Sequence, residues 1–189
     1  RDSDDLFCSP QSLNDVDGDV IGNAVFWNVD NEAITHARYL FGPFANQSIV
    51  QDVVDTQEGT VSGATYNASL DTYGAMEFGA NNAHVDFGNL NPISSGVAGE
   101  YTLFVRARFD AIQNGFLFGD SNQSNDGIFL QINNGGNLYT YAGGAAQTSS
   151  FTVATDQWYD IVLRQDVNSI DLFVDGVSQG TLSTLLHQE

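Results

Sequence analysis

The sequence predicts an all-β fold, an antiparallel β-sandwich or jelly roll, and three observations indicate it. Leu103, Val105 and Ala107 fall on one face of the segment 101–109, and Phe104 and Arg106 on the other, which is the period of a half-buried strand. Similar short apolar runs recur about every ten residues, separated by Gly, Asn, Asp or Ser. The composition, with 12% aromatic residues, 19 Gly and 3 Pro, suits strands joined by tight turns.

The expected elements follow one another along the chain. A bulge or bend is expected at Gly63, and the sequence Asn-Asn-Gly-Gly at 133–136 is a hairpin-turn signal. We expect Phe118, Phe129 and Phe173 in the core. Strands are predicted at 37–41, 59–66, 75–78 and 84–87 (these two as a hairpin), 101–109, 116–118, 128–132, 138–141, 151–153, 158–163 and 170–174.

Two regions are predicted. Residues 1–34 form an acidic N-terminal extension that could contain a strand at 20–27, and residues 35–189 form the regular β domain. Cys8 is the single cysteine, so no disulfide can form within the chain, and pairing between chains or a free thiol are the alternatives.

The charge excludes several classes of partner. The chain has 24 acidic residues against 5 basic ones, all Arg, for a net charge of −19. Nucleic acid and anionic membranes both require a basic surface, so neither is an expected partner. No stretch approaches the roughly 20 apolar residues of a membrane span, so no membrane insertion is expected. The acidity suits solubility or a salty, calcium-rich medium, and sequons at Asn46, Asn67 and Asn122 favour an extracellular or cell-surface location.

Several short motifs occur in an order that resembles the laminin-G-like, concanavalin A-like jelly-roll domains. They are Gly74-Ala-Met-Glu-Phe-Gly79, His84-Val-Asp-Phe87, the strand from Tyr101, Trp158-Tyr-Asp-Ile-Val162 and Leu172-Phe-Val-Asp-Gly176. The resemblance covers about Thr35 to Leu182, and it implies that Trp158, which opens a strand in the family pattern, lies in the core. It implies further strands after the last hairpin, so we expect either that residues 35–189 lack the final strand or that something else completes the sheet. Residues 20–27 could serve, in cis or donated to a neighbouring molecule.

Calcium is the expected cofactor, if there is one. The spacing Asp15-x-Asp17-x-Asp19 matches the first half of an EF-type calcium-binding loop. Val20 and Phe26 stand where that loop needs Gly and Glu, which excludes an EF-hand. The remaining alternatives are a looser cation-binding loop and an acidic turn. The family resemblance implies a rim site near Asp52 and Asp55, and the carboxylates of Asp120 and Asp126 flank a further loop.

A glycan-binding surface needs an aromatic platform beside amide or carboxylate groups. Tyr139 and Tyr141, with Asn133, Asn134 and Asn137, could form one on adjacent turns and strands; alternatively, the Tyr side chains pack within the sheet.

No catalytic pattern emerges, so we expect no enzyme. The paired carboxylates of a glucanase are absent as a motif, and no nucleophile elbow or zinc pattern occurs. The leading hypothesis is an extracellular, non-catalytic recognition or adhesion module that binds glycan or protein, with or without calcium. The alternative is a self-assembling structural subunit of an extracellular filament or sheath, joined by N-terminal strand donation.

Overall fold

A computed structural model of the chain describes residues 28–29, 32–33, 49–50, 58–70, 75–79, 82–88, 101–119, 129–142, 145–166 and 168–184. Within these residues every regular element is a β-strand and every strand pair is antiparallel, which confirms the predicted class. The same residues include no helix that could cross a membrane. The chain divides into two compact units, Arg1–Leu90 and Asn91–Glu189. The predicted boundary after residue 34 and the predicted strand at 20–27 lie outside the described residues.

The described residues of the first unit form three small sheets, with the strand orders β1-β2, β3-β4-β7 and β5-β6. Among the described residues, the hydrophobic core of this unit consists of Ala64 and Met76, against which Val61, Tyr66 and Val85 pack among others. The strands are β1 (Asn28–Val29), β2 (Glu32–Ala33), β3 (Ile49–Val50), β4 (Gly59–Ser62), β5 (Thr65–Asn67), β6 (Ala75–Glu77) and β7 (His84–Asp86).

The bend expected at Gly63 changes the strand pairing of this unit. Gly63 has a φ of +68°, in the left-handed region, and it divides the predicted strand 59–66 into β4 and β5. β4 pairs with β7, and β5 pairs with β6. The predicted hairpin between 75–78 and 84–87 is therefore wrong, because the bend sends the two halves of 59–66 into different sheets and each half takes one of the later strands.

The second unit is a sandwich of two four-stranded sheets. One has the order β12-β11-β10-β9 and the other the order β15-β14-β13-β8. No strand of the first contains a charged residue, so we call it the uncharged sheet, and we call the second the charged sheet. The strands are β8 (Tyr101–Arg108), β9 (Gly115–Gly119), β10 (Phe129–Ile132), β11 (Asn137–Ala142), β12 (Ala145–Thr152), β13 (Trp158–Gln165), β14 (Ile170–Val174) and β15 (Val177–Ser183).

Alternation along the strands builds one core from both sheets. Every second residue of β11, β13 and β14 is buried, as a strand with one inward face requires. The uncharged sheet contributes Leu130 and Leu138, and the charged sheet contributes Ile161, Leu163 and Leu172, all at most 1% exposed. Burying a side chain of this size stabilises the fold by about 1.5–3 kcal/mol. The alternation predicted for 101–109 is confirmed, because Leu103, Val105, Ala107 and Phe109 pack against this core.

The core positions expected for Trp158 and Phe173 are wrong. The inward residues of β13 and β14 are Tyr159, Ile161, Leu163, Ile170, Leu172 and Val174, so the alternation turns Trp158 and Phe173 outward. There they are half-buried under guanidinium groups. Arg106 lies 5.5 Å from the Trp158 ring centroid, and Arg164 lies 5.3 Å from that of Phe173. Each contact contributes about 0.5–1 kcal/mol at an exposed site.

The hairpin turn predicted at 133–136 joins β10 to β11 and depends on a glycine. The Asn133 side-chain oxygen accepts hydrogen bonds from the amides of Gly135, at 2.8 Å, and Asn137, at 3.0 Å. Gly136 follows with a φ of +81°, and a Cβ there would lie 2.9 Å from Thr152 Cγ2. The turn therefore requires both the left-handed conformation and the absence of a side chain.

We expect Gly136→Ala to destabilise the domain more than Gly176→Ala does. Both residues have positive φ, so each substitution adds about 1–2 kcal/mol of backbone strain. Only at position 136 does the new methyl meet neighbours, which adds about 1–3 kcal/mol, since nothing lies within 4 Å of a Cβ at Gly176. Urea unfolding of both variants measures the difference. Equal losses of stability would contradict the close approach at Thr152.

Candidate functional site

The outer face of the uncharged sheet carries an ordered row of side chains across its four strands. Strand register places Phe116 of β9 opposite Gln131 of β10, Gln131 opposite Tyr139 of β11, and Tyr139 opposite Thr148 of β12. Residues that face one another in register share a face of the sheet. The row therefore presents an aromatic ring, an amide, a phenol and a hydroxyl in succession.

Aromatic rings form a continuous path over the same face. The centroids of Phe116 and Phe129 are 6.2 Å apart, those of Phe129 and Tyr141 are 5.3 Å apart, and those of Tyr141 and Tyr139 are 6.0 Å apart. The interplanar angles, 56–72°, are those of tilted and edge-to-face pairs, each worth about 0.5–1.5 kcal/mol beyond the area buried. The path fixes the rings relative to one another before any ligand arrives.

Exposure changes along this path. Phe116 is 66% exposed, whereas Phe129 is only 8% exposed and so supports the rings beside it. Tyr139 and Tyr141 are half-buried on the same face. A Cβ at Gly119 would lie 3.0 Å from the Phe116 ring, so the missing side chain leaves that ring room to lie against the sheet. The exposed end of the platform is therefore at β9.

The polar groups of the face are neutral and positioned by the strands. The Tyr139 hydroxyl donates a hydrogen bond to the Gln131 side-chain oxygen. The second polar group of the Gln131 side chain is its amide nitrogen, which is a hydrogen-bond donor. Partial burial, and then the neighbouring Tyr141, raise the pKa of Tyr139 above its ordinary value. The phenol therefore stays protonated throughout the physiological pH range.

The structure brings two of the five predicted binding residues together on this face and places the other three at its end. Tyr139 and Tyr141 lie on the ring path, whereas the three Asn residues lie in or beside the β10–β11 turn. Asn133 accepts the two turn amides described above, and Asn134 accepts a hydrogen bond from the Asn114 amide at 3.0 Å. The Asn137 side-chain nitrogen donates to Phe151 O at 3.2 Å and to Thr152 Oγ1 at 3.1 Å, and so joins β11 to β12.

Phe116, Phe129 and Gln131 are members of the face that sequence reasoning missed. Gln131 had a partial signal, because the turn predicted at 133–136 brings Gln131 across from residues 138–139, although it does not fix the observed pairing with Tyr139. Phe116 had no such signal. The register shifts between Leu130 and Gln131, so Leu117 faces the core and Phe116, not its neighbour, lies opposite Gln131.

The predicted metal ligands lie outside the described residues. They are Asp15, Asp17, Asp19, Asp52, Asp55, Asp120 and Asp126. In the part of the chain that the structure describes, no group of three or more His, Cys, Asp or Glu residues is arranged to hold a metal ion. Calcium binding thus stays a proposal.

A family model described as the concanavalin A-like lectin/glucanases superfamily, of the laminin-G type, matches residues 78–187, more than half of the chain. The chain belongs to this family. The membership confirms the predicted resemblance and implies a jelly-roll sandwich, in agreement with the two antiparallel sheets of the second unit. Searches of curated proteins and of solved structures gave no match. The family includes both lectins and glucanases, so membership alone does not assign an activity.

We expect Asn137→Asp to destabilise the domain and Asn134→Asp to leave it nearly unchanged. Asn137 acts through its side-chain nitrogen, which Asp lacks, and the new carboxylate would face the backbone carbonyl oxygen of Phe151. Losing this interaction costs about 1–3 kcal/mol. Asn134 acts through an oxygen that Asp keeps. Thermal unfolding of the two isosteric variants measures the difference, and equal melting temperatures would show that the Asn137 contacts contribute nothing to stability.

Proposed function

We propose that this domain is a non-catalytic recognition module that binds a glycan on the outer face of its uncharged sheet. The observation that carries the proposal is the connected path of rings from Phe116 to Tyr139, next to the neutral polar groups of Gln131 and Thr148. Sugar rings have apolar C–H faces and hydroxyl edges. Aromatic rings stack on the faces, while amide and hydroxyl groups bind the edges.

Several features support binding over catalysis at this face. Glycoside hydrolysis needs two carboxylates on either side of the scissile bond, and none of the strands β9–β12 contains Asp, Glu or His. The acidic groups on the ring path are the phenols of Tyr139 and Tyr141, and the raised pKa of Tyr139 keeps that phenol protonated, so it cannot act as a base near neutral pH. Glu77 lies on β6 of the first unit, where it accepts a hydrogen bond from the Asn67 side-chain nitrogen at 3.2 Å.

We propose an extracellular or cell-surface location for the domain. A large negative charge, 19 Asp among 24 acidic residues and three sequons all suit a secreted protein in a calcium-containing medium. Of the sequons, the described one is Asn67-Ala-Ser, at the end of β5, where Ala68 and Ser69 are exposed. The Asp residues named above remain the proposed ligands of a calcium ion.

The self-assembly hypothesis stays a prediction. The irregular edge of the charged sheet at β15 argues against strand donation at that edge. β15 lies at the edge of the charged sheet, and its pairing with β14 shifts register twice, after Ile170 and after Leu172. Irregular edges disfavour the addition of a further strand. Strand donation by residues 20–27 would have to use another edge.

We expect Phe116→Ala to weaken glycan binding about tenfold or more, which corresponds to about 1.4 kcal/mol, and Phe104→Ala to leave it unchanged. The two residues are matched, being 66% and 64% exposed, but Phe104 lies on the charged sheet. Both side chains are exposed, so the losses of stability should be small: about 0.5–1.5 kcal/mol for Phe116→Ala, which removes the ring pair with Phe129, and about 0.5 kcal/mol or less for Phe104→Ala. A glycan array followed by calorimetry on the strongest ligand measures the effect. Equal binding by both variants would contradict a site on the uncharged sheet.

A recognition module should also stay monomeric. We expect size-exclusion chromatography with light scattering to give a single species of about 20.4 kDa, both with calcium and with EDTA. A polymer that disappears when residues 1–34 are deleted would instead favour the assembling subunit. Dissociation of that polymer in EDTA would indicate that calcium lies at the interface between subunits.

A further inference from the structure

The uncharged sheet is exceptional within a highly charged chain. The net charge is −19, yet strands β9–β12 contain neither acidic nor basic residues. Between residues 109 and 163 the sequence has no Lys, Arg or His at all. This count includes every loop that joins the four strands, so neither the sheet nor its own connections can supply a cation.

The described arginines lie on the other sheet and are already paired. Arg106 contacts Asp160 at 3.2 Å, and Arg164 contacts Asp171 at 2.9 Å. Arg108 contacts Asp110 at 3.0 Å and Asp156 at 3.1 Å. Four carboxylates therefore surround three guanidinium groups, and this sheet does not offer a positive surface either.

This distribution selects among the chemical classes of glycan. A sulfated or uronic polysaccharide that stacked on the ring path would bring its anions against a face without a cationic partner. Removing a charge from water without a partner is costly. The remaining charge of the protein is negative and adds repulsion, which acts over about 8 Å at physiological ionic strength.

The neutral polar groups of the outer face suit an uncharged glycan. The Gln131 amide, the exposed Thr148 hydroxyl and the Tyr139 phenol are donors and acceptors without charge, and hydroxyl groups of a sugar can bind to all three. We propose that the ligand of this face is an uncharged polysaccharide, and that the sheet excludes acidic ones. The inference rests on the proposed function and names the class of ligand for that site.

The test uses neutral polysaccharides (a glucan, a mannan and a galactan), each paired with its carboxymethylated derivative. We expect at least one neutral polymer to bind, with an affinity that changes less than about twofold between low and high salt, because no ion pair forms. Its carboxymethylated derivative should bind about tenfold more weakly or worse. Phe116→Ala should abolish the preference by removing binding.

A second experiment tests whether an added cation lets the face bind the acidic polymer. Thr148→Arg places a cation in the row beside Tyr139. It should strengthen binding of the carboxymethylated polymer in low salt, whereas the neutral polymer, which loses the Thr148 hydroxyl, should gain no affinity. Thr102→Arg is the matched control, an exposed Thr at the same kind of position on the charged sheet. It should change neither affinity.

The outcomes separate the two proposals. Tighter, Phe116-dependent binding of a carboxymethylated polymer would overturn the charge inference and leave the glycan-binding function standing. Binding of any polymer that is insensitive to Phe116→Ala would overturn both, because the face would not be the site. Absence of binding to all six polymers would also overturn both.

Discussion

The two sheets of the second unit depend on one shared core. Ile161, Leu163 and Leu172 of the charged sheet pack with Leu130 and Leu138 of the uncharged sheet, and none of the five is more than 1% exposed. Because alternate residues of a strand point to opposite faces, filling this core determines which residues point outward on both sheets. The outward side chains are then free to differ between the sheets without disturbing the packing between them.

The two outer faces use that freedom in different ways. On the charged sheet, Arg106 and Arg164 lie over aromatic rings and pair with Asp160 and Asp171, so each cation is satisfied within its own sheet. On the uncharged sheet, the rings contact one another and the polar groups are neutral. The first arrangement leaves its charges compensated, whereas the second leaves an exposed ring at Phe116 beside groups that bind hydroxyls. This difference is why we propose that recognition takes place on the uncharged sheet.

Sequence periodicity predicted the parts of the fold that depend on local pattern. Seven of the eight strands of the second unit, the faces of β8 and the Asn-Gly-Gly turn follow from alternation and turn chemistry, whereas β15 (Val177–Ser183) was not among the predicted strands. The family match agrees with the order of the motifs. The pairing and register of strands that are distant in the sequence could not be predicted from local pattern. The bend at Gly63 redirected the pairing of β6 and β7, and the irregularity in β9 placed Phe116 on the outer face. The family pattern predicts Trp158 in the core, whereas the alternation of its own strand makes Tyr159 the inward residue and turns Trp158 outward.

We propose that a glycan binds across β9–β12, on the outer face of the uncharged sheet. The decisive measurement is a nuclear magnetic resonance titration of the labelled chain with a neutral oligosaccharide that binds in the array. We expect ligand-dependent shifts at Phe116, Gln131, Tyr139, Tyr141 and Thr148, with the signals of Phe104, Arg106 and Arg164 unchanged. Shifts confined to the charged sheet, or to residues outside β9–β12, would contradict it.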